Sequence, residues 1–130
     1  MAEYEGRSYP AVCPYLYYRD TAAALEFLTG AFGLRERMRS TGPDGAVNHA
    51  ELEIGDSVIM IGRVPTAASS RDDGGVYVHV DDVDAHYATA TAAGARVQES
   101  PTDQPYGVRS YGVLDLEGRQ WWFSQPLGRR

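Results

Sequence analysis

The chain has 130 residues, 43% of them hydrophobic and 23% charged, which is enough apolar chain for one globular core. A net charge of -6 repels phosphate backbones and argues against nucleic acid as a partner. No apolar run approaches the roughly 18 residues a membrane helix needs, and one cysteine, Cys13, excludes both an internal disulfide and a multi-cysteine zinc site.

The opening MAEYEGRSYP has neither a basic n-region nor an apolar h-region, so no secretory signal is read. With the lone thiol, this predicts a cytoplasmic protein. An alternating strand, VCPYLYYRD, follows, and a helix opens after Asp20. Its segment TAAALEFLTGAF sets Leu25, Leu28 and Phe32 at i, i+3 and i+7, and Gly33 is its expected stop. Three strand-like stretches come next, LRERMRST, AVNHAELEI and DSVIMIG, parted by the turns GPDGA and Gly55-Asp56. Residues 64–74, rich in Pro, Ala, Ser, Asp and Gly, read as a linker.

The pattern then returns. The strand GVYVHVDD leads into the helix VDAHYATATAA, which stops at Gly94, and RVQESP, VRSYGVLDL and RQWWFSQ read as strands. Asp20 to Asp82 is 62 residues, Gly33 to Gly94 is 61, and Gly55 to Gly118 is 63. One nearly constant offset marks an internal repeat. The predicted fold class is α+β: a single domain over residues 1–130 with βαβββ modules at about 10–63 and 75–126. Together they are expected to form a cupped, mixed β-sheet with one helix per module.

Alternation assigns faces. Leu16 and Tyr18, Ala50, Leu52 and Ile54, and Val76, Val78 and Val80 belong under the helices. Cys13, Tyr15 and Tyr17, His49, Glu51 and Glu53, and Gly75, Tyr77 and His79 share the opposite face, which is expected to line a cavity.

The stretches YRDTAAALEFLTGAFG, NHAELEIGDSVIMIG, VHVDDVDAHYATATAAGA and DQPYGVRSYGVLDLEGRQWWF, in that order and spacing, resemble the vicinal oxygen chelate superfamily. That is the glyoxalase, bleomycin-resistance and extradiol-dioxygenase group. The likeness covers about residues 10–126 and is strongest to small PhnB-like glyoxalase-like proteins. The chain departs from that pattern at Val108, where Asp is usual, and at Leu116, where Pro is usual. The first change removes a loop charge and the second is expected to loosen a turn.

The resemblance implies metal ligands, His or Glu, at four positions. They fall on Cys13, Gly75, Met60 (or Ile59, one residue out of register) and Trp122. None is His or Glu, and no metal or other cofactor is expected. A face carrying Tyr15, Tyr17, Met60, Tyr77 and Trp122 suits a flat or cationic small molecule held by stacking and cation–π contact. Glu51 is a candidate partner for a ligand cation. Resemblance to metal-free, bleomycin-binding members implies a homodimer that sequesters its ligand.

A rival reading takes His49, Glu51 and His79 as acid–base groups of a lyase or isomerase, or as a relocated metal site. A scaffold without a ligand is a third. His49, His79, Tyr106, Arg109 and Tyr111 complete the expected ligand contacts; Arg109 either clasps a ligand anion or pins its own loop by a salt bridge. Gly107 is expected in a conformation other residues do not reach. The Asp81-Asp82-x-Asp84 cluster reads as a helix cap, Cys13 as an inert buried thiol, and His86 as a surface residue.

Overall fold

The computed structural model describes residues 2–4, 7–64 and 75–128. Of the expected linker 64–74, only Val64 lies within that range. The chain begins with an antiparallel hairpin, β1 (Ala2–Tyr4) and β2 (Arg7–Tyr9), that the repeat does not predict. Contacts then divide the molecule into two units, Met1–Thr29 with Gly33–Ala68, and Gly30–Phe32 with Ser69–Arg130.

In the first unit, β3 (Tyr15–Tyr18) leads through α1 (Thr21–Gly30) to β4 (Arg35–Thr41), β5 (Val47–Ile54) and β6 (Ser57–Arg63). The sheet order is β3-β6-β5-β4, with β3 and β6 parallel and the other neighbours antiparallel. In the second, β7 (Gly75–His79) leads through α2 (Val83–Ala92) to β8 (Arg96–Asp103), β9 (Val108–Leu114) and β10 (Gln120–Pro126). Its order, β7-β10-β9-β8, repeats the first. The mixed α+β fold with one helix per module is therefore present, built as one four-stranded sheet in each unit.

Local chemistry explains the helix ends. Asp20 accepts a hydrogen bond from the Ala23 N–H at 3.0 Å, and Asp82 from the Ala85 N–H at 3.1 Å. α2 closes in a Schellman turn: Ala95 N–H donates to the Ala90 carbonyl, Gly94 N–H to Thr91, and Gly94 has φ +89°. α1 stops at Gly30, three residues before the expected Gly33. Glycine is a weak helix former, so the last turn gives way there. Phe32 consequently leaves the helical stripe and packs in the second unit, 5.0 Å from Phe123 and 5.2 Å from Trp121 between ring centroids.

The rows of alternating residues meet as the register requires. Leu16, Ile61 and Ala50 stand abreast across β3, β6 and β5, and all are buried. Val78, Phe123 and Tyr111 do the same across β7, β10 and β9, with Val76, Trp121 and Val113 beside them. Each large apolar side chain fully buried this way contributes about 1.5–3 kcal/mol.

The β9–β10 hairpin is held by one buried carboxylate. Asp115 Oδ1 accepts from the N–H groups of Glu117 and Arg119, both at 3.0 Å, and its Oδ2 accepts from Trp121 Nε1, also at 3.0 Å. Asp115 thus restrains the turn in which Leu116 stands at the usual proline position. Among the described residues, no helix is long and apolar enough to cross a membrane.

Candidate functional site

In the first unit the face opposite the helix carries two rows. Tyr15, Met60 and Glu51 stand abreast, then Tyr17, Gly62 and His49. This register puts Met60, not Ile59, on the open face; Ile59 is core. Tyr15 and Tyr17 are 43% and 50% exposed, with ring centroids 5.1 Å apart. Glycine at 62 is what lets Tyr15 lie down: a Cβ there would come 2.8 Å from Tyr15 Cε1 and 2.9 Å from its hydroxyl. From that slot the Tyr15 hydroxyl reaches His49 Nδ1 at 2.8 Å, and His49 Nε2 lies 3.3 Å from Glu51 Oε2.

Glu51 is only 3% exposed and already partnered. The Tyr9 hydroxyl reaches both its oxygens at 2.9 Å, while Arg7 Nε and Arg37 Nε lie 3.7 and 3.5 Å from Oε1. Arg7 also donates to the Tyr9 hydroxyl at 3.1 Å, and Arg37 sits over the Tyr9 ring at 4.8 Å. Its charge is matched inside the protein, so Glu51 is not an open receptor for a ligand cation. Burial, then the nearby Tyr17 and Glu51, hold the Tyr15 hydroxyl above the usual phenol range.

Sequence reasoning missed Tyr9, Arg7 and Arg37. Tyr9 and Arg7 belong to the unpredicted hairpin. Arg37 is the extra residue of a β-bulge: Glu36 pairs with Leu52 and Met38 with Glu51. A bulge breaks strict alternation, so parity cannot place Arg37 against Glu51.

In the second unit the equivalent rows are Tyr77, Trp122 and Gly112, then His79, Ser124 and Ser110. Tyr77 is 46% exposed, 6.4 Å from Trp122 and 5.5 Å from His79 between ring centroids. Trp122 lies along the bare backbone of Gly112, where a Cβ would touch its Cδ1 at 3.5 Å. His79 is exposed and stands on this second sheet. Within the first unit His49 and Glu51 come together, and the third member of that contact is Tyr15. Among the described residues of each unit, no group of three or more His, Cys, Asp or Glu comes together as a metal ion needs.

The four positions at which the resemblance implies metal ligands do not suit one. A Cβ at Gly75 would lie 2.2 Å from the Gln120 carbonyl oxygen, so no ligating side chain fits on this backbone. Trp122 has no acceptor atom and Met60 offers only a thioether, a poor partner for hard cations. Cys13 is half-buried, with its thiol on the Pro10 carbonyl at 3.6 Å.

The remaining expectations divide. Tyr106 is exposed on its loop and Gly107 has φ +94°. Arg109 adopts the structural alternative, donating to Asp84 at 3.1 Å and Asp103 at 3.0 Å. Tyr111, expected among the ligand contacts, is completely buried. His86, expected at the surface, is half-buried 4.0 Å from the Phe123 ring. It accepts from the Tyr111 hydroxyl at Nδ1 and donates to the Phe32 carbonyl from Nε2, both at 2.7 Å. Burial pushes its pKa down and outweighs the carbonyl contact. A signal for both was present. His86 lies on the helical stripe of Val83 and Ala90, and Tyr111 shares the parity of Val113.

Residues 11–123 match the family model of the Glyoxalase/Bleomycin resistance protein/Dioxygenase superfamily. An uncharacterised protein of Mycobacterium bovis is 35% identical over 128 residues, 91% of this chain and 84% of that one. The crystal structure of TioX from Micromonospora sp. ML1 superposes with a TM-score of 0.80 at 34% identity, covering 93% of this chain and 100% of that chain. TnmS3, an antibiotic binding protein from Streptomyces sp. CB03234, matches with a TM-score of 0.69 at 19% identity, over 92% and 99% of the chains. The last likeness is one of fold.

Proposed function

The chain belongs to the glyoxalase, bleomycin resistance and dioxygenase superfamily, and from that membership we propose that it is a metal-independent small-molecule-binding protein. Its ligand is planar or cationic and rests on the open, aromatic sheet faces. One observation carries this reading: equivalent first strands of the two sheets leave Tyr15, Tyr17 and Tyr77 about half exposed. Solvent-open aromatic rings in such rows are stacking surfaces. The antibiotic binding of TnmS3 is in keeping with such a use of the fold. The working form in this reading is a cytoplasmic homodimer of the PhnB-like subgroup.

The test is a panel of planar cationic ligands followed by tryptophan quenching and calorimetry. Trp121 is buried, so a Trp122→Phe control assigns the quenching. Binding that weakens about tenfold or more in Tyr77→Ala and Trp122→Ala supports the proposal. Retention of one metal per chain, lost on replacing His49, would overturn it. The rival lyase or isomerase draws on the His49–Glu51 contact at 3.3 Å. It requires turnover that His49→Ala abolishes while binding persists.

A further inference from the structure

Tyr15 is an exposed ring held at its hydroxyl end. Its hydroxyl meets His49 Nδ1 at 2.8 Å, and His49 Nε2 meets Glu51 at 3.3 Å. The direction of every hydrogen in this row follows from its far end. Glu51 receives the Tyr9 hydroxyl on both oxygens and has two guanidinium groups within 3.7 Å. Every one of these neighbours is a donor, so the Glu51 oxygens serve as acceptors. The hydrogen between His49 and Glu51 therefore sits on Nε2. In that tautomer Nδ1 carries no hydrogen, and it accepts the single Tyr15 proton.

Tyr15 has no second proton to give. What it offers a ligand is its oxygen lone pairs. We propose that the row Glu51–His49–Tyr15 fixes Tyr15 as a hydrogen-bond acceptor, so that this face selects a planar ligand presenting an N–H or O–H donor. The inference rests on the binding reading above and adds the polarity of the ligand group at Tyr15. Gly62 is part of the device, since the slot it leaves holds the Tyr15 ring within reach of His49. His49 is a positioning residue in this scheme: it orients a proton and does not touch the ligand.

Two measurements test it. Heteronuclear NMR of the imidazole nitrogens in the unliganded protein near neutral pH reads the tautomer directly. Protonated Nε2 with bare Nδ1 at His49 is expected; the opposite tautomer, or a ring protonated on both nitrogens, would overturn the proposal while leaving the binding reading intact. The second is a titration with β-carboline and its indole-N-methyl derivative, planar molecules that differ by one donor. Wild type is expected to prefer the N–H form about three- to tenfold, as one neutral hydrogen bond allows. In Tyr15→Phe and in His49→Phe that ratio should move toward one, whatever happens to either affinity alone. Equal affinities in wild type would sink the inference but keep the binding reading. Failure of both compounds to bind at any accessible concentration would count against both.

Discussion

Each unit contains a tyrosine that donates to a histidine, and the two pairs use the same atoms. In the first, Tyr15 meets Nδ1 of His49 and Nε2 faces a carboxylate. In the second, Tyr111 meets Nδ1 of His86 and Nε2 faces the Phe32 carbonyl. The grammar is shared, but the surroundings differ. His86 is packed among Phe32, Tyr111 and Phe123, where burial disfavours the charged ring. His49 lies at the edge of an exposed face beside an anion. One pair is consequently a fixed part of a core, and the other is a polar arrangement that a ligand can meet.

The sharpest way to break this contrast is truncation. His86→Ala should cost about 2–4 kcal/mol of stability, because it opens a cavity and leaves both Tyr111 and the Phe32 carbonyl unpaired. His49→Ala should cost about 1 kcal/mol or less. Chemical denaturation of the two variants reads the difference, and equal losses would erase it. Acid sharpens the same point. The folded-state pKa of His86 lies below its ordinary value of 6.5, so its contribution is complete above that pH. It is lost as pH falls from there through the depressed value. Denaturation midpoints that drop over this window in wild type, and drop less in His86→Gln, are expected.

A smaller effect is expected from Tyr9→Phe, which removes the donor shared by both oxygens of Glu51. With two arginines and His49 still nearby, the loss should be about 1–2 kcal/mol. An unchanged midpoint would mean that the N-terminal hairpin does not hold Glu51 in solution. A change as slight as His49→Ala is Gly62→Ala. Its methyl displaces the Tyr15 ring, so stability should fall by about 1 kcal/mol or less while the Tyr15–His49 hydrogen bond disappears. Persistence of that bond in the NMR spectrum would show that the slot is not what positions the ring.

How much of this was legible in the chain depended on the kind of question. Period-two patterns place a residue on a face, and Leu16, Ala50 and Val78 went where alternation sends them. The repeat spacing located the capping aspartates and the turn glycines, because those positions answer to local backbone chemistry. Alternation does not say what covers a face. Glu51 was read as open, yet a hairpin and a bulged arginine close over it. Nor did the apolar i, i+3, i+7 pattern show that α1 would end at Gly30 and release Phe32 into the other unit's core. His86 was misread for a related reason: a polar ring on an apolar helical stripe looks solvent-seeking until both its nitrogens have partners. The candidate ligand rings themselves were visible as aromatic residues on the parity opposite the helix, while the direction of their hydrogen bonds was not.

The adjacent tryptophans of β10 present the folding chain with an ambiguity. Trp121 is core and Trp122 belongs to the open face, and hydrophobicity cannot tell them apart. A slip of β10 by one residue would exchange them, turn the strand inside out and carry Phe123 to the open face with Trp121. Asp115 removes the ambiguity, since its buried carboxylate accepts the indole N–H of Trp121 while its other oxygen clamps the turn. The hairpin thus carries its own register mark, a single acidic side chain paired with the one of two identical rings that lies inside.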